Sequence, residues 1–261
     1  MSQRLRLRLT PAAAVVASVA ALILPAAAPA ATPALPLKGW WPLNEGRGQT
    51  VYDWSGNRNH GYLGSTTGVD DNDPSWIRGI FFGSALRFAG DDFVTIPATS
   101  TALEPKQLTV SAWVRASGSP GTFKYILAKG GDACVSASYA LTTSYNGGLI
   151  FYTWVDNAQR NAGPVAPEAI WDGRWHHVAG TWDGAHARLY VDGVLTEGDT
   201  FHDDIDYDVP APDATIGGYH AGCDLLFTGD IDEVHVWSQA LPISDIWKKW
   251  GWLLGIPGQQ Q

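Results

Sequence analysis

The chain is poor in several things at once. Its 261 residues include two cysteines, one methionine and five glutamates, and charged residues make up only 16%. Two cysteines exclude a disulfide-dense miniature scaffold, and without a C-x-x-C pair there is no zinc ribbon and no thioredoxin-type redox motif. The shortage of Glu removes the usual material of exposed helices and points away from a helical domain. No G-x-S-x-G elbow and no glycine-rich phosphate loop leading into a helix is present, which removes the common signatures of α/β-hydrolases and nucleotide binders. Only one apolar run is long enough to matter for a membrane, and it lies at the amino terminus.

That run is read as a targeting segment. Arg4, Arg6 and Arg8 precede the small-apolar stretch Ala12–Leu24, and Ala28-Pro29-Ala30 supplies a small-x-small cleavage site. The expectation is a signal peptide over 1–30, cut after Ala30, and a secreted mature protein with no membrane insertion. Removing the three arginines takes the net charge from −9 to −12. A surface this acidic argues against nucleic acid as partner, because phosphate backbones require a basic face. Cys134 and Cys223, in an exported chain, are expected to form one disulfide.

What the chain has in quantity is glycine, 29 residues, and tryptophan, 13. Many turns and large aromatic packing units fit short strands. The stretch Trp171–Gly193 shows the pattern best. Strand-like runs end at Asp183-Gly184 and at Asp192-Gly193, dipeptides suited to tight hairpin turns with positive φ. On the second run Ala187, Leu189 and Val191 alternate with Arg188, Tyr190 and Asp192. Leu108, Val110, Ala112 and Val114 share one face of another strand, with Thr109, Ser111, Trp113 and Arg115 on the other. Ala85–Phe88 and Phe93–Pro97 are expected to pair as a hairpin around Gly90-Asp91-Asp92. A further hairpin turns at Asn146-Gly147-Gly148. Gly39–Leu43 reads as an edge strand because Pro42 has no donor for a central ladder. Helical spacing occurs only in Ile243–Leu254, capped by Ser244 and stopped by Gly255 and Pro257. About a dozen short strands with regular turns make an all-β antiparallel sandwich or barrel. The expected organisation is a signal peptide (1–30), a Pro/Ala linker (31–37), one β domain (38–241) and a short C-terminal helical tail (242–261).

The order of several landmarks resembles the LamG-like jellyroll domain of the concanavalin A-like lectin/glucanase superfold. They are Trp41-Pro-Leu-Asn-Glu-Gly46, Asp53-Trp-Ser-Gly-Asn57 with His60-Gly61, Gly83-Ser-Ala-Leu-Arg-Phe88, Leu108–Val114, Trp175-His-His-Val-Ala179 with Leu189-Tyr-Val-Asp-Gly193, and Gly229-Asp-Ile-Asp-Glu-Val234. The resemblance implies a two-sheet jellyroll sandwich and an extracellular setting. It also implies Ca²⁺ and carbohydrate or protein binding.

Candidate site residues follow from the residues and from that resemblance. Ca²⁺ takes six to eight oxygens from carboxylates, amides and carbonyls. Asp53 and Asn57 in the first Gly/Asn loop, Gly90 and Asp91 at a turn, and Asp232 on the last strand are the candidate ligands of a structural ion, the resemblance bringing first and last strands together. A carbohydrate or glycoprotein site is expected on the concave sheet or its rim, with Tyr139, Tyr145, Tyr152, Trp154, Tyr219 and His220 as candidates. Asp230-Ile-Asp232-Glu233 is the nearest approach to a glycosidase carboxylate run. It lacks the leading and closing Glu, and simple alternation puts Glu233 on the face opposite Asp230 and Asp232. The leading expectation is therefore a non-catalytic binding module. A structural or adhesive protein-interaction module is the alternative, and a glycoside hydrolase a more distant one.

Overall fold

The computed structural model describes residues 37–81, 83–131, 137–156, 158–200, 204–219, 223 and 225–246, without the side chains of 197–200. The expected signal peptide, residues 31–36 of the linker, Cys134, His220 and residues 247–261 of the tail lie outside that set. Sixteen strands occur among the described residues. The first eight are β1 (Leu37–Trp41), β2 (Thr50–Val51), β3 (Gly61–Leu63), β4 (Ser75–Arg78), β5 (Ser84–Ala89), β6 (Val94–Ile96), β7 (Leu108–Arg115) and β8 (Tyr125–Gly131). The rest are β9 (Tyr139–Thr143), β10 (Leu149–Val155), β11 (Ala158–Val165), β12 (His176–Trp182), β13 (His186–Val191), β14 (Val194–Thr200), β15 (Ala211–Ile216) and β16 (Thr228–Trp237).

They form two antiparallel sheets. One has the order β14-β13-β12-β7-β16-β5-β4, with β1 also on β16; the other runs β11-β10-β9-β8-β15-β6-β3-β2. The sheets face each other across a core in which Leu108, Val110, Ala112 and Val114 of β7 meet Leu127, Leu141 and Phe151 of the other sheet. The alternation of β7 thus becomes the inner face of a jellyroll sandwich. Gly180, in the middle of β12, is what lets the sheets approach there. A Cβ at that position would stand 2.1 Å from Cγ of Phe151.

The outer face of the first sheet is also covered. Trp237, Leu241 and Ile246 pack against Ala179 and Tyr190, and the Thr109 hydroxyl donates to the Gln239 carbonyl and accepts from Leu241 N–H. Helix begins at Ile243, as its spacing predicts, and is described to Ile246; Ser244 therefore lies inside the first turn and does not cap it as expected.

Three sequence expectations change. Ala85–Phe88 and Phe93–Pro97 do not pair. β5 lies between β16 and β4, whereas β6 lies between β15 and β3 in the opposite sheet. The chain crosses between sheets at Gly90, whose φ is +100°, and the buried Asp92 carboxylate closes the corner on Ala89 N–H at 2.5 Å. Asp183-Gly184 is not a two-residue turn. The loop holds residues 183–185, and Asp183 Oδ1 accepts from the N–H groups of Ala185 and His186. Asp192 and Gly193, with φ of 49° and 79°, do make the tight turn between β13 and β14. Strands β3, β4, β11 and β14 were not anticipated, because their short or polar sequences carry no clean alternation.

Candidate functional site

The register of the first sheet sets four side chains in a line. Arg87 on β5 is opposite Asp230 on β16, and Asp230 is opposite Arg115 at the end of β7. Trp175 immediately precedes β12, whose first residue, His176, is opposite Val114. All four project outward, while the adjacent row of Leu86, Ile231 and Val114 faces the core.

The line is tightly bonded. Arg87 donates from Nε to Asp230 Oδ1 at 2.7 Å and from Nη2 to Oδ2 at 3.1 Å. Arg115 donates from Nε and Nη2 to Oδ2 at 2.8 and 2.6 Å. The guanidinium of Arg115 also lies over the Trp175 ring, 4.6 Å from its centre, a favourable cation–π arrangement. Asp230 is buried, while the side chains of Arg87 and Arg115 are 56% and 32% exposed. One buried anion therefore orients two cations whose outer edges reach solvent. Arg87, Arg115 and Asp230, with Ser117, Gly173 and Gly229, line a cleft of about 560 Å³, and Trp175 flanks that lining through Arg115.

The neighbouring carboxylates of β16 have other partners. Asp232 accepts from Ile80 N–H and Glu233 N–H, each with one oxygen, and burial pushes its carboxyl up to about 8. Glu233 has φ of 50°, and the ladder to β7 shifts between Asp232 and His235. This bulge inserts an extra residue and corrects the expectation from alternation. Glu233 does not face away from Asp232. Its Oε2 accepts from the Trp40 indole at 2.9 Å, on the side where Trp40 stacks on His235 and His235 on Trp237.

The anticipated calcium ligands are placed as follows. Both oxygens of Asp53 are occupied by protein donors: Oδ1 by Trp40 N–H and Ser55 N–H, Oδ2 by the Ser55 hydroxyl and Asn59 N–H. Asn57 donates to the carbonyls of Leu37 and Lys38. Gly90 and the exposed Asp91 sit at the corner between sheets, where the Asp91 carbonyl accepts from Asn72. No hydrogen bond joins Asp53, Asp91 and Asp232 to a common centre. Among the described residues no group of three or more His, Cys, Asp or Glu side chains is arranged to hold a metal.

The anticipated aromatic site divides between three environments. Tyr139 points into the core, its hydroxyl donating to the Leu103 carbonyl and its ring edge-on to Tyr207. It is not part of a surface platform, because the odd positions of β9 face inward. Tyr152 and Tyr219 come together with Tyr125 on the outer face of the second sheet, under Cys223 and Leu225. The hydroxyls of Tyr125 and Tyr152 are 3.1 Å apart, and burial raises the Tyr125 phenol to about 12. Trp154 stays partly exposed on the same strand face as Tyr152, and Tyr145 stands 74% exposed at the β9–β10 tip. The sequence reading overlooked the Arg87–Asp230–Arg115–Trp175 row. Its only local sign was an outward charge at corresponding ends of otherwise apolar strands.

The family model of the concanavalin A-like lectin/glucanases superfamily matches residues 88–246. Domain 4 of AbnA, a GH43 extracellular arabinanase from Geobacillus stearothermophilus solved with arabinotriose, is similar in fold, with a TM-score of 0.63 and 18% identity over 81% of this chain and 97% of that one. The binding domain of Paraclostridial Mosquitocidal Protein 1 gives 0.59 and 13% over 81% of this chain and 51% of its own. The binding domain of botulinum neurotoxin DC, solved with SialylT, gives 0.59 and 14% over 84% and 51%. The chain thus spans about half the length of these toxin domains. No curated protein sequence matches it. Among the described residues no helix is long and apolar enough to cross a membrane.

Proposed function

The chain belongs to the concanavalin A-like lectin/glucanase superfamily, and on that premise we propose that it is a secreted, non-catalytic module that binds extracellular glycan or glycoprotein through the Arg87–Asp230–Arg115–Trp175 row. The observation that carries this reading is the orientation of two partly exposed guanidinium groups by one buried carboxylate, beside a half-buried Trp. Saccharides are held by fixed polar donors next to an aromatic face, and the cleft's volume falls within the roughly 300–1,000 Å³ common for small-molecule sites. The fold neighbours include domains solved with arabinotriose and with SialylT.

The carboxylates support binding over hydrolysis. A retaining glycosidase needs two of them about 5–5.5 Å apart across the scissile bond, one nucleophile and one acid. Here Asp230 is held by two arginines, Asp232 by two backbone N–H groups, and Glu233 accepts from an indole. A Cys134–Cys223 disulfide belongs to the proposal as a clamp beside Tyr125, Tyr152 and Tyr219. The structural calcium expected from the sequence at Asp53, Asn57, Gly90, Asp91 and Asp232 is not part of the proposal, because both oxygens of Asp53 and of Asp232 are taken by protein donors. With four such donors on Asp53, binding at the row is taken not to require Ca²⁺.

A glycan array probed with residues 31–261 in Ca²⁺ and in EDTA tests the reading. The expected result is a saturable hit that survives EDTA and weakens in Trp175→Ala. A blank array, or a hit indifferent to Trp175→Ala, overturns it.

A further inference from the structure

The row carries a charge opposite to that of the protein around it. Arg87 and Arg115 share Asp230, which leaves one net positive charge at the cleft. The whole chain carries −9, and −12 without its first thirty residues. Each guanidinium uses Nε and Nη2 on Asp230. Nη1 of both remains directed away from that carboxylate, and a guanidinium fork matches carboxylate oxygens geometrically. Asp230 cannot neutralise both cations, and its burial prevents it from turning to follow a ligand.

Resting on the glycan-binding reading, we infer that the ligand is an acidic saccharide carrying a single carboxylate, a uronate residue seated against the free edges of Arg87 and Arg115 with its ring beside Trp175. One carboxylate matches the one unmatched charge. A run of them does not, because the further carboxylates of a polyanion would find no matching charge at the cleft and would be brought to a chain of net charge −9. The charged groups on the far side of Trp175 are bonded to one another: the Asp172 carboxylate is bound by Arg174 and lies 3.1 Å from the His176 ring, whose other nitrogen lies 2.6 Å from the Asp192 carboxylate.

The test uses the mature chain and three soluble trisaccharides in isothermal titration at low and at physiological salt. They are xylotriose (neutral), glucuronosyl-xylobiose (one carboxylate) and trigalacturonic acid (three). Glucuronosyl-xylobiose should bind about ten- to a hundredfold more tightly than xylotriose, the range of a charge-assisted hydrogen bond or two. Its carboxyl-reduced form should lose that advantage. Arg87→Gln should also lose it, bringing the two affinities to within about twofold of each other whatever its effect on either alone, and this variant keeps the Arg115–Asp230 pair that holds β7 to β16. Equal affinity for the neutral and singly charged sugars overturns the inference and leaves the glycan reading intact. Tightest binding to trigalacturonic acid overturns it in favour of a polyanion surface. Failure of all three sugars together with a blank array overturns both.

Discussion

Arg115 makes two contacts of different kinds with one planar group: its nitrogens hold the buried carboxylate of Asp230 and its face covers the Trp175 ring at 4.6 Å. Asp230 fixes where the guanidinium is, and Trp175 fixes how it is tilted. Truncating Arg115 removes both contacts and leaves Asp230 with Arg87 alone. Arg115→Ala is therefore expected to cost about 1–3 kcal/mol in urea unfolding. Arg87→Ala should cost less, because its side chain is over half exposed and solvent screens the pair. Equal losses in the two variants would contradict this order.

Gly180→Ala should destabilise by about 1–3 kcal/mol, since the added methyl overlaps the Phe151 ring from the facing sheet. The measurement is a double-mutant cycle with Phe151→Leu. A smaller penalty in the Leu background locates the effect in that contact, and an unchanged penalty places it elsewhere.

Burial beneath the outer face lowers the His177 imidazole to about 3. The folded protein holds it neutral, whereas the unfolded chain protonates near 6.5. The contribution to stability is complete above pH 6.5 and is lost as pH falls from there toward 3, by at most about 1.4 kcal/mol per unit. The raised Asp232 carboxyl gives an opposing slope over the same range, so the measurement is the difference between the native protein and His177→Gln in chemical unfolding from pH 7 to pH 4, which should carry the His177 slope. A variant as steep as the native protein would remove His177 as the cause.

The proposed disulfide and the calcium expected from the sequence separate in a melting experiment. Cys134 and Cys223 are 89 residues apart, so their bridge should contribute about 4–5 kcal/mol on the chain-entropy model. A reductant should lower Tm markedly, and the untreated protein should show no titratable thiol. EDTA should lower Tm in the native chain but not in Asp232→Ala if Asp232 holds a structural ion, and equal shifts would end that expectation.

Much of the fold was legible because it is written locally. The alternation of Leu108–Val114, the positive-φ turn at Asp192-Gly193 and the helical start after Pro242 each depend on neighbours in sequence. The rest depends on partners far away. Gly90-Asp91-Asp92 carries the same turn chemistry whether the chain doubles back or crosses to the other sheet, and only the pairing of β5 and β6 with different neighbours decides it. The bulge at Glu233 leaves no mark on alternation, yet it moves every later side chain of β16 by one position. The aromatic candidates were chosen by residue type, and type does not distinguish Tyr139, facing the core, from Trp154, facing out. The Arg87–Asp230–Arg115–Trp175 row was hidden for the same reason: its members are separated by 28 to 60 residues in sequence and meet only through sheet register.

That register gives the row a thermodynamic character that a loop-borne site would lack. Its four members sit on β5, β7, the start of β12 and β16, so opening any of these strands dismantles it. On the proposed reading, the binding-competent form and the intact sheet are one population. A saccharide present at a hundred times its dissociation constant would then stabilise the entire domain by about 2.7 kcal/mol, and amide exchange would slow across the whole sheet instead of at one edge.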